Sequence, residues 1–423
     1  MDAQQQVSWL ARRATFGLAP GELDRRVAQG AAAWLDELLH VEPARTAPLS
    51  ATFTTASFED TPTSRRADAV VLADAWFGLV HSTAHPLQAA MAWFWHDHFA
   101  VSLQAVSSAI PFARYLGLLH DQALGDFRRL IREVTLDAAM LQFLDGASST
   151  AASPNENFGR ELLELYTLGV GAFTEHDVRA AASALTGWVV RPRLDHRVQF
   201  VPGRHAAAPQ VLLGRTVRDV DTVVDAVVSH EACASFLAAK LAAWFLGPDH
   251  DRSLHAGFAK TFRDHDLAIA PLVHAVLSAG LDGRGGELVL APFPWLSTAQ
   301  RALGVRLDAG AALRMLALAG QMPLQPPNVG GWPGPHAWLG TSATAARVAL
   351  ASALVDASPP SSPVLRASEA LDLEALAALL GLPTGFSVAT TDALRSLHRR
   401  RPGGRSGSAV AAVALASADM VLA

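Results

Sequence analysis

Apolar residues recur at every third or fourth position through almost the whole chain, in Ala- and Leu-rich segments with few alternating β-branched runs. That period lines one face of a helix, whereas a half-buried strand needs a period of two. The expected fold is therefore mostly α. Helices are expected at 20–40 (two short ones broken at Gly30), 67–82, 86–100, 108–120, 124–133, 136–144, 154–168, 175–187, 219–229, 231–246, 252–263, 268–279, 291–303, 307–320, 343–356, 367–381, 389–400 and 407–420. The segment 188–215 breaks the pattern: VVRPRLDHRVQFVPGRH has Pro, Gly and short alternation, which suggests a small irregular or β-hairpin insertion. Thr/Ser/Pro-rich 44–65 and Gly/Pro/Trp-rich 323–340 read as loops, and RRRPGGR at 399–405 as a solvated turn. One large helical domain is expected over 1–356, then a linker, ASPPSSPV, at 357–364, with C-terminal helices at 365–423 packed on the main domain.

A chain of 423 residues that is 50% hydrophobic can bury an ample core without cross-links. Cys233 is the only cysteine, which excludes a disulfide framework and a cysteine-based zinc cluster. A net charge of −5 argues against a general nucleic-acid binder. Basic charge is almost all arginine, with Lys240 and Lys260 the only lysines, a bias that fits a GC-rich coding sequence. No stretch reaches the ~18 apolar residues that a membrane span needs. MDAQQQVSWLARRATFG lacks a basic start followed by an apolar run, so the chain as written reads as cytoplasmic, and as periplasmic or secreted if a leader was removed. Walker, Rossmann, His-Glu-x-x-His and Gly-x-Ser-x-Gly patterns are absent from the sequence.

In a chain with only 17% charged residues, PNENFGRELLELYTLGVG at 154–171 packs four charges into one helix. Ser153 fits its N-cap, Pro154 its first position and Glu156 the third position of a capping box. Gly169 or Gly171 suits the C-cap. At ~100° per residue, Phe158, Leu162, Leu165 and Leu168 form an apolar arc, widened by Tyr166. Glu161 falls between Leu165 and Leu168, with Asn157 and Glu164 on the edge. A carboxylate in an apolar setting needs a partner. Glu161 is then either half of a structural ion pair or a functional acid, base or ligand. No His stands three residues after a Glu here, so the pattern of a carboxylate-bridged dimetal bundle is incomplete.

MAWFWHDHFAVS at 91–102 raises the same question for histidines. Leu87, Met91, Phe94 and Trp95 form its apolar face, with His98 in the middle and His96 and Asp97 to either side. A satisfied core histidine and a site residue are both open readings. A His98–Glu161 pair would satisfy both groups at once. Thr174-Glu175-His176-Asp177 reads as a second capping box, with His176 facing solvent. QPPNVGGWPGPHAWLG at 325–340 sets Trp332, His336 and Trp338 on a Gly/Pro frame, either as core anchors or as the lining of a cleft.

FWHDHFAVS, PNENFGRELLELYTLGVGAFTEHDV, ALTGW at 184–188 and PPNVGGWPG at 326–334 together resemble the bacterial domain of unknown function 1800 family. The ends WLARRATFGLAPGEL and ALASADM extend the resemblance over nearly the whole chain. The family is functionally uncharacterised. The resemblance implies a functional partner from a neighbouring alkaline-phosphatase-like family, and export of many members. Its pattern carries over onto His96, His98, Asn155, Glu156, Arg160, Glu161, Glu164, His205 and Trp332. Where members often read Arg-x-His-Asp, this chain has Gly203-Arg204-His205-Ala206, which weakens a metal role for His205.

The leading expectation is an enzyme with a buried His/Glu acid–base or metal site between the helices at 91–100 and 154–168, roofed by the Gly/Pro/Trp loop. Glu161, His98, Glu164 and Asn157 are its candidate catalytic residues. Arg160, Trp95, Trp332, His336 and Trp338 are candidate substrate contacts. For a divalent metal ion, the candidate ligands are His96, His98, Glu161 and His205. Carboxylates and aromatic faces favour a hydrolase or lyase acting on a glycan or related polar polymer. The alternatives are a metal-dependent oxidoreductase and a non-catalytic binding or assembly protein.

Overall fold

Short polar side chains start the helices. Asp126, Asp137 and Asp308 accept backbone N–H groups of the helices that follow them, and Thr174 with Asp177 closes a capping box ahead of Glu175–Ala184, as the sequence suggests. The computed structural model describes residues 1–40, 58, 64–400 and 406–423. It is 65% helical, with 22 α-helices among the described residues. Gly30, at φ +87°, divides Glu22–Gln29 from Ala31–Leu39 as expected. The loop expected at 44–65 lies outside the described residues except for Phe58, Ser64 and Arg65. Of the turn expected at 399–405, Arg399 and Arg400 end the helix Val388–Arg400, and 401–405 lie outside the described residues.

The helix Pro86–Phe99 runs through the interior. It packs against Ala3–Ala14, Ala31–Leu39, Arg65–Ser82, Ala109–Asp121 and the turn Glu164–Leu168. Leu87, Met91, Trp95 and Phe99 are wholly buried, and burying each such side chain contributes roughly 1.5–3 kcal/mol. Helices Glu231–Leu246, His255–Asp264 and Ile269–Leu281 pack on one another, and the first also meets the Glu164–Leu168 turn. Pro292–Leu303, Ala309–Leu318 and Thr341–Ala357 form a further group, on which Ser406–Leu415 is laid. The Trp295 indole donates to the Leu415 carbonyl at 3.1 Å, and Leu288 and Ala423 exchange backbone hydrogen bonds.

The irregular segment is two small antiparallel hairpins. Trp188–Arg191 pairs with Arg197–Phe200, and Gln210–Leu212 with Arg215–Val217. Among the described residues no single helix is long and apolar enough to cross a membrane; the apolar helices Val220–Val228 and Glu231–Leu246 are bent by 73° at their junction.

The central helix departs from the expected form. It spans Glu156–Leu163, and its N-cap is Asn155, whose side chain accepts from the Phe158 N–H at 3.0 Å and donates to the Leu144 carbonyl at 2.7 Å. Ser153 and Pro154 precede it, and Glu156 is its exposed first residue with no capping box. The amide accepts at its oxygen and donates at its nitrogen, so Asn155 ties the helix start to the preceding chain through two separate atoms. From Glu164 to Leu168 the backbone widens into a π turn, ending at Gly169 with φ +78°.

Candidate functional site

Pro86 at the first position starts the aromatic-histidine helix, and Ala100 in the left-handed conformation ends it. His98 lies on its apolar face and is 3% exposed. Both of its ring nitrogens are engaged. Nε2 lies 3.0 Å from the Tyr166 carbonyl, and Nδ1 lies 3.0 Å from Nζ of Lys240. A carbonyl only accepts, so Nε2 carries the proton. Nδ1 then presents its lone pair, and Lys240 is the donor. Burial holds His98 well below the usual histidine range, reinforced by Lys240 and opposed by the Tyr166 carbonyl, so the ring is neutral.

Lys240 comes from Glu231–Leu246, a helix whose other flanking side chains are apolar. Phe236, Lys240 and Trp244 stand four residues apart on one stripe, with the Lys240 ammonium 5.3 Å from the Phe236 ring centre. Burial lowers the Lys240 pKa against the opposing pull of the Asp97 carboxylate.

Asp97 ties the site to the Gly/Pro/Trp loop. Its Oδ1 accepts the Trp332 N–H at 2.8 Å. Gly331, at φ +88°, lies so close that a Cβ there would sit 2.5 Å from Oδ1 and 2.6 Å from the Asp97 carbonyl, so only glycine lets the loop seat. Burial raises the Asp97 carboxyl to about 6, partly offset by the Trp332 N–H and by Lys240. The Trp332 indole stacks on Trp93 at 4.8 Å. Between loop, helix and Lys240 lies a pocket of about 260 Å³, walled by Trp93, Phe94, Trp244, Trp332, Pro333 and Trp338, with Asp97, His98, Lys240, Arg12 and Arg13 as its charged or ionisable groups.

The rest of the expected site does not gather here. Glu161 is half-buried, is not in the pocket wall, and makes no hydrogen bond to His98, whose nitrogens are taken. The reason is the π turn. The residues that bracket Glu161 on a regular wheel, Leu165 and Leu168, lie beyond Leu163, where ~100° per residue no longer holds. Burial, then repulsion from Glu164, raises its pKa, while Arg160 opposes.

A family model described as "Protein of unknown function (DUF1800)" matches residues 9–422. The chain belongs to the DUF1800 family. Comparison with curated proteins and with solved structures gives no match.

The family motif residues of this DUF1800 protein thus divide among three places. His96 and His98 lie inside, and Trp332 roofs the pocket. Arg160 makes a two-point ion pair with Glu175, at 2.7 Å for each bond, on the surface. Asn157 and His336 are exposed, and Glu164 is half-buried at the start of the π turn. Trp95 is wholly buried behind His98, its indole donating to the Ala123 carbonyl at 2.9 Å, so it lines no pocket surface. His205 packs in the hairpin insertion, its Nδ1 3.0 Å from the Thr186 carbonyl. His96 is enclosed by Trp93, Phe112, Tyr115 and Trp332, and burial depresses it to about 3. His96, His98, Glu161 and His205 therefore do not form one ligand set, and among the described residues no three His, Cys, Asp or Glu side chains are grouped to hold a metal ion.

Lys240 and Trp244 are pocket residues outside the motifs, and Asp97, Arg12 and Arg13 lie within motif segments without having been expected as site residues. Lys240 has a signal in the sequence: it is the one charge between Glu231 and Asp249. Asp97 shows only its place between two histidines, with nothing to mark Gly331 as its neighbour.

Proposed function

We propose that this DUF1800 protein is a lyase-type enzyme whose base is Lys240, acting on a glycan or related polar ligand in the aromatic pocket. One observation carries this reading: the Lys240 amine is held 3.0 Å from a neutral, tautomer-fixed His98 at the wall of a cavity. A lysine whose charged form is disfavoured by burial is a readier source of neutral amine for proton abstraction than an exposed one. In the step, the Lys240 amine removes the proton on a carbon beside a carbonyl group. The C–H electron pair becomes a C=C bond, the adjacent C–O bond breaks with its pair, and the departing oxygen takes the proton back from the Lys240 ammonium. His98 is a positioning residue whose lone pair aims the amine.

Elimination is favoured over glycoside hydrolysis. Hydrolysis by the usual route needs two carboxyl groups about 5–9.5 Å apart across the scissile bond. The pocket lining has one carboxylate, Asp97. Trp244, half-buried at the pocket wall, offers a face that suits the apolar side of a sugar ring.

The chain has two lysines, so each can be followed separately. Reductive methylation of the folded protein across pH, read by mass spectrometry, should modify Lys240 with a midpoint below the ordinary ~10.4 of lysine, with Lys260 as the reagent control. His98→Ala should change the Lys240 midpoint. A Lys240 that titrates as an ordinary lysine and does not respond to His98→Ala would overturn the proposal.

A further inference from the structure

Two arginines of the first helix, Arg12 and Arg13, line the same pocket. Their partners are main-chain oxygens. Arg12 gives its Nη2 to the carbonyls of Asp419 and Met420, at 3.1 and 3.0 Å. Arg13 gives Nη1 to the Phe245 carbonyl at 2.8 Å and Nη2 to the Gly286 carbonyl at 2.7 Å and to the main-chain oxygen of Ala423, the last residue of the chain as given. Neither makes an ion pair with a side-chain carboxylate of the described residues. Asp419, the acid whose field reaches Arg12, receives the N–H and hydroxyl of Ser387, at 3.3 and 3.2 Å, and lies outside the pocket wall.

The backbone contacts leave part of each guanidinium over. The Nε donors of Arg12 and Arg13 are both buried without an acceptor. An arginine has five N–H donors and no acceptor, and a buried donor left unpaired is costly. Burial lowers Arg12 to about 10 and Arg13 to about 9, so both still carry charge at neutral pH. The wall thus sets two guanidiniums and the Lys240 amine against one side-chain carboxylate, Asp97, in a cavity lined besides by His98, Gln321 and tryptophan, phenylalanine, proline and aliphatic side chains. That is the complement of an organic anion with an apolar face. The planar guanidinium fork matches a carboxylate in particular.

We infer that the pocket takes a carboxylated ligand, held by Arg12 and Arg13 at the carboxylate and by the tryptophans on its apolar face. This rests on the reading of the pocket as a ligand site, and it narrows the class of substrate to acidic sugars and similar organic acids. It also suits the chemistry at Lys240, because a carbon beside a carboxylate gives up its proton more readily once a cation neutralises that carboxylate.

The test uses the full chain in low-salt buffer and two probe pairs matched in shape: glucuronate against glucuronamide, and benzoate against benzamide. Binding is read by calorimetry and by the rise in Tm that any ligand of the folded state produces. The carboxylate of at least one pair should bind roughly ten-fold or more tightly than its amide, as expected for a charged partner of a buried cation. Arg12→Gln should erase that preference, the acid's affinity falling to that of its amide. Equal binding of acid and amide in both pairs, or no binding of any probe, would overturn the inference. The wild-type comparison decides the matter even if Arg12→Gln does not fold. A preference in the benzoate pair alone keeps the carboxylate site and removes the sugar part of the functional reading. Methylation of Lys240 without ligand reports on the proton-transfer part separately, so the two readings fail in different experiments.

Discussion

Two helices carry the most conspicuous polar residues of this chain, and they stand in opposite environments. On Glu156–Leu163 and its π turn, Glu156 is exposed, Arg160 is paired with Glu175, and Glu161 and Glu164 are half-buried. On Pro86–Phe99, His96 and His98 are buried, and Asp97 is fastened to the roof loop. The first helix has the charge density and the second has the pocket. Density of charge in an amphipathic helix marks a face that water can reach. An ionisable group isolated among aromatics has no such outlet, and the fold must supply it with a neutral form or a partner. His96 takes the first course, and His98 with Lys240 takes the second.

The largest effect that would sharpen this contrast is acid sensitivity at His96. Its folded pKa lies near 3, against ~6.5 in an unfolded chain. The unfolded chain therefore binds the proton first. The contribution to stability is full above about pH 6.5 and is lost as pH falls toward 3, by roughly 5 kcal/mol at ~1.4 kcal/mol per pH unit. Asp97 and Asp137, raised by burial to about 6 and about 7, have the opposite sign and lose stability as pH rises. The comparison must therefore be between wild type and His96→Phe, by denaturant melts at pH 7 and near pH 3.5. The variant should lack most of the acid loss. Equal acid loss in both proteins would mean that His96 is not held neutral, and the contrast between the helices would weaken.

A smaller effect tests the outer helix. Asn155→Ala removes the N-cap and the bond to the Leu144 carbonyl and should cost about 1–2 kcal/mol. Glu156→Ala, at an exposed first position, should stay within about 0.5 kcal/mol. Urea melts of the two variants give the ranking directly, and the reverse order would restore Glu156 as the structural residue of this motif.

The sequence shows the helices well because a 3.6-residue period accumulates over many turns, and it shows the hairpin insertion because Pro, Gly and alternation interrupt that period. His98 is legible for the same reason: Leu87, Met91, Phe94 and Trp95 lie with it on one regular α-helix. Glu161 is misread because the wheel is carried across a π turn that nothing in ELYTL announces. The pairings across the pocket are illegible for another reason. Lys240 is 142 residues from His98, and the Trp332 N–H is 235 residues from Asp97. Local patterns do not encode such pairings. The isolation of Lys240 in an apolar helix is the local trace of that residue, beside the histidine helix and the Gly/Pro/Trp loop.

The smallest effect is the most direct test of where the site lies. Glu161 is half-buried, has no ion-pair partner among the described residues, and is raised by burial and by Glu164. A carboxyl raised on folding adds stability below its unfolded pKa and loses it as pH climbs through the folded value. At neutral pH its charge is thus a slight burden, relieved by Glu161→Gln, and below about pH 4 the two proteins should converge. Because Glu161 is partly solvated, the gain should be no more than about 0.5 kcal/mol. The same variant should leave Lys240 methylation unchanged, since Glu161 does not touch the Lys240–His98 pair. A buried ion-pair partner would behave otherwise. Stranding its counter-charge costs about 3–5 kcal/mol. A stability loss of that size would return Glu161 to the interior. An altered Lys240 profile at unchanged stability would join the two helices into one site.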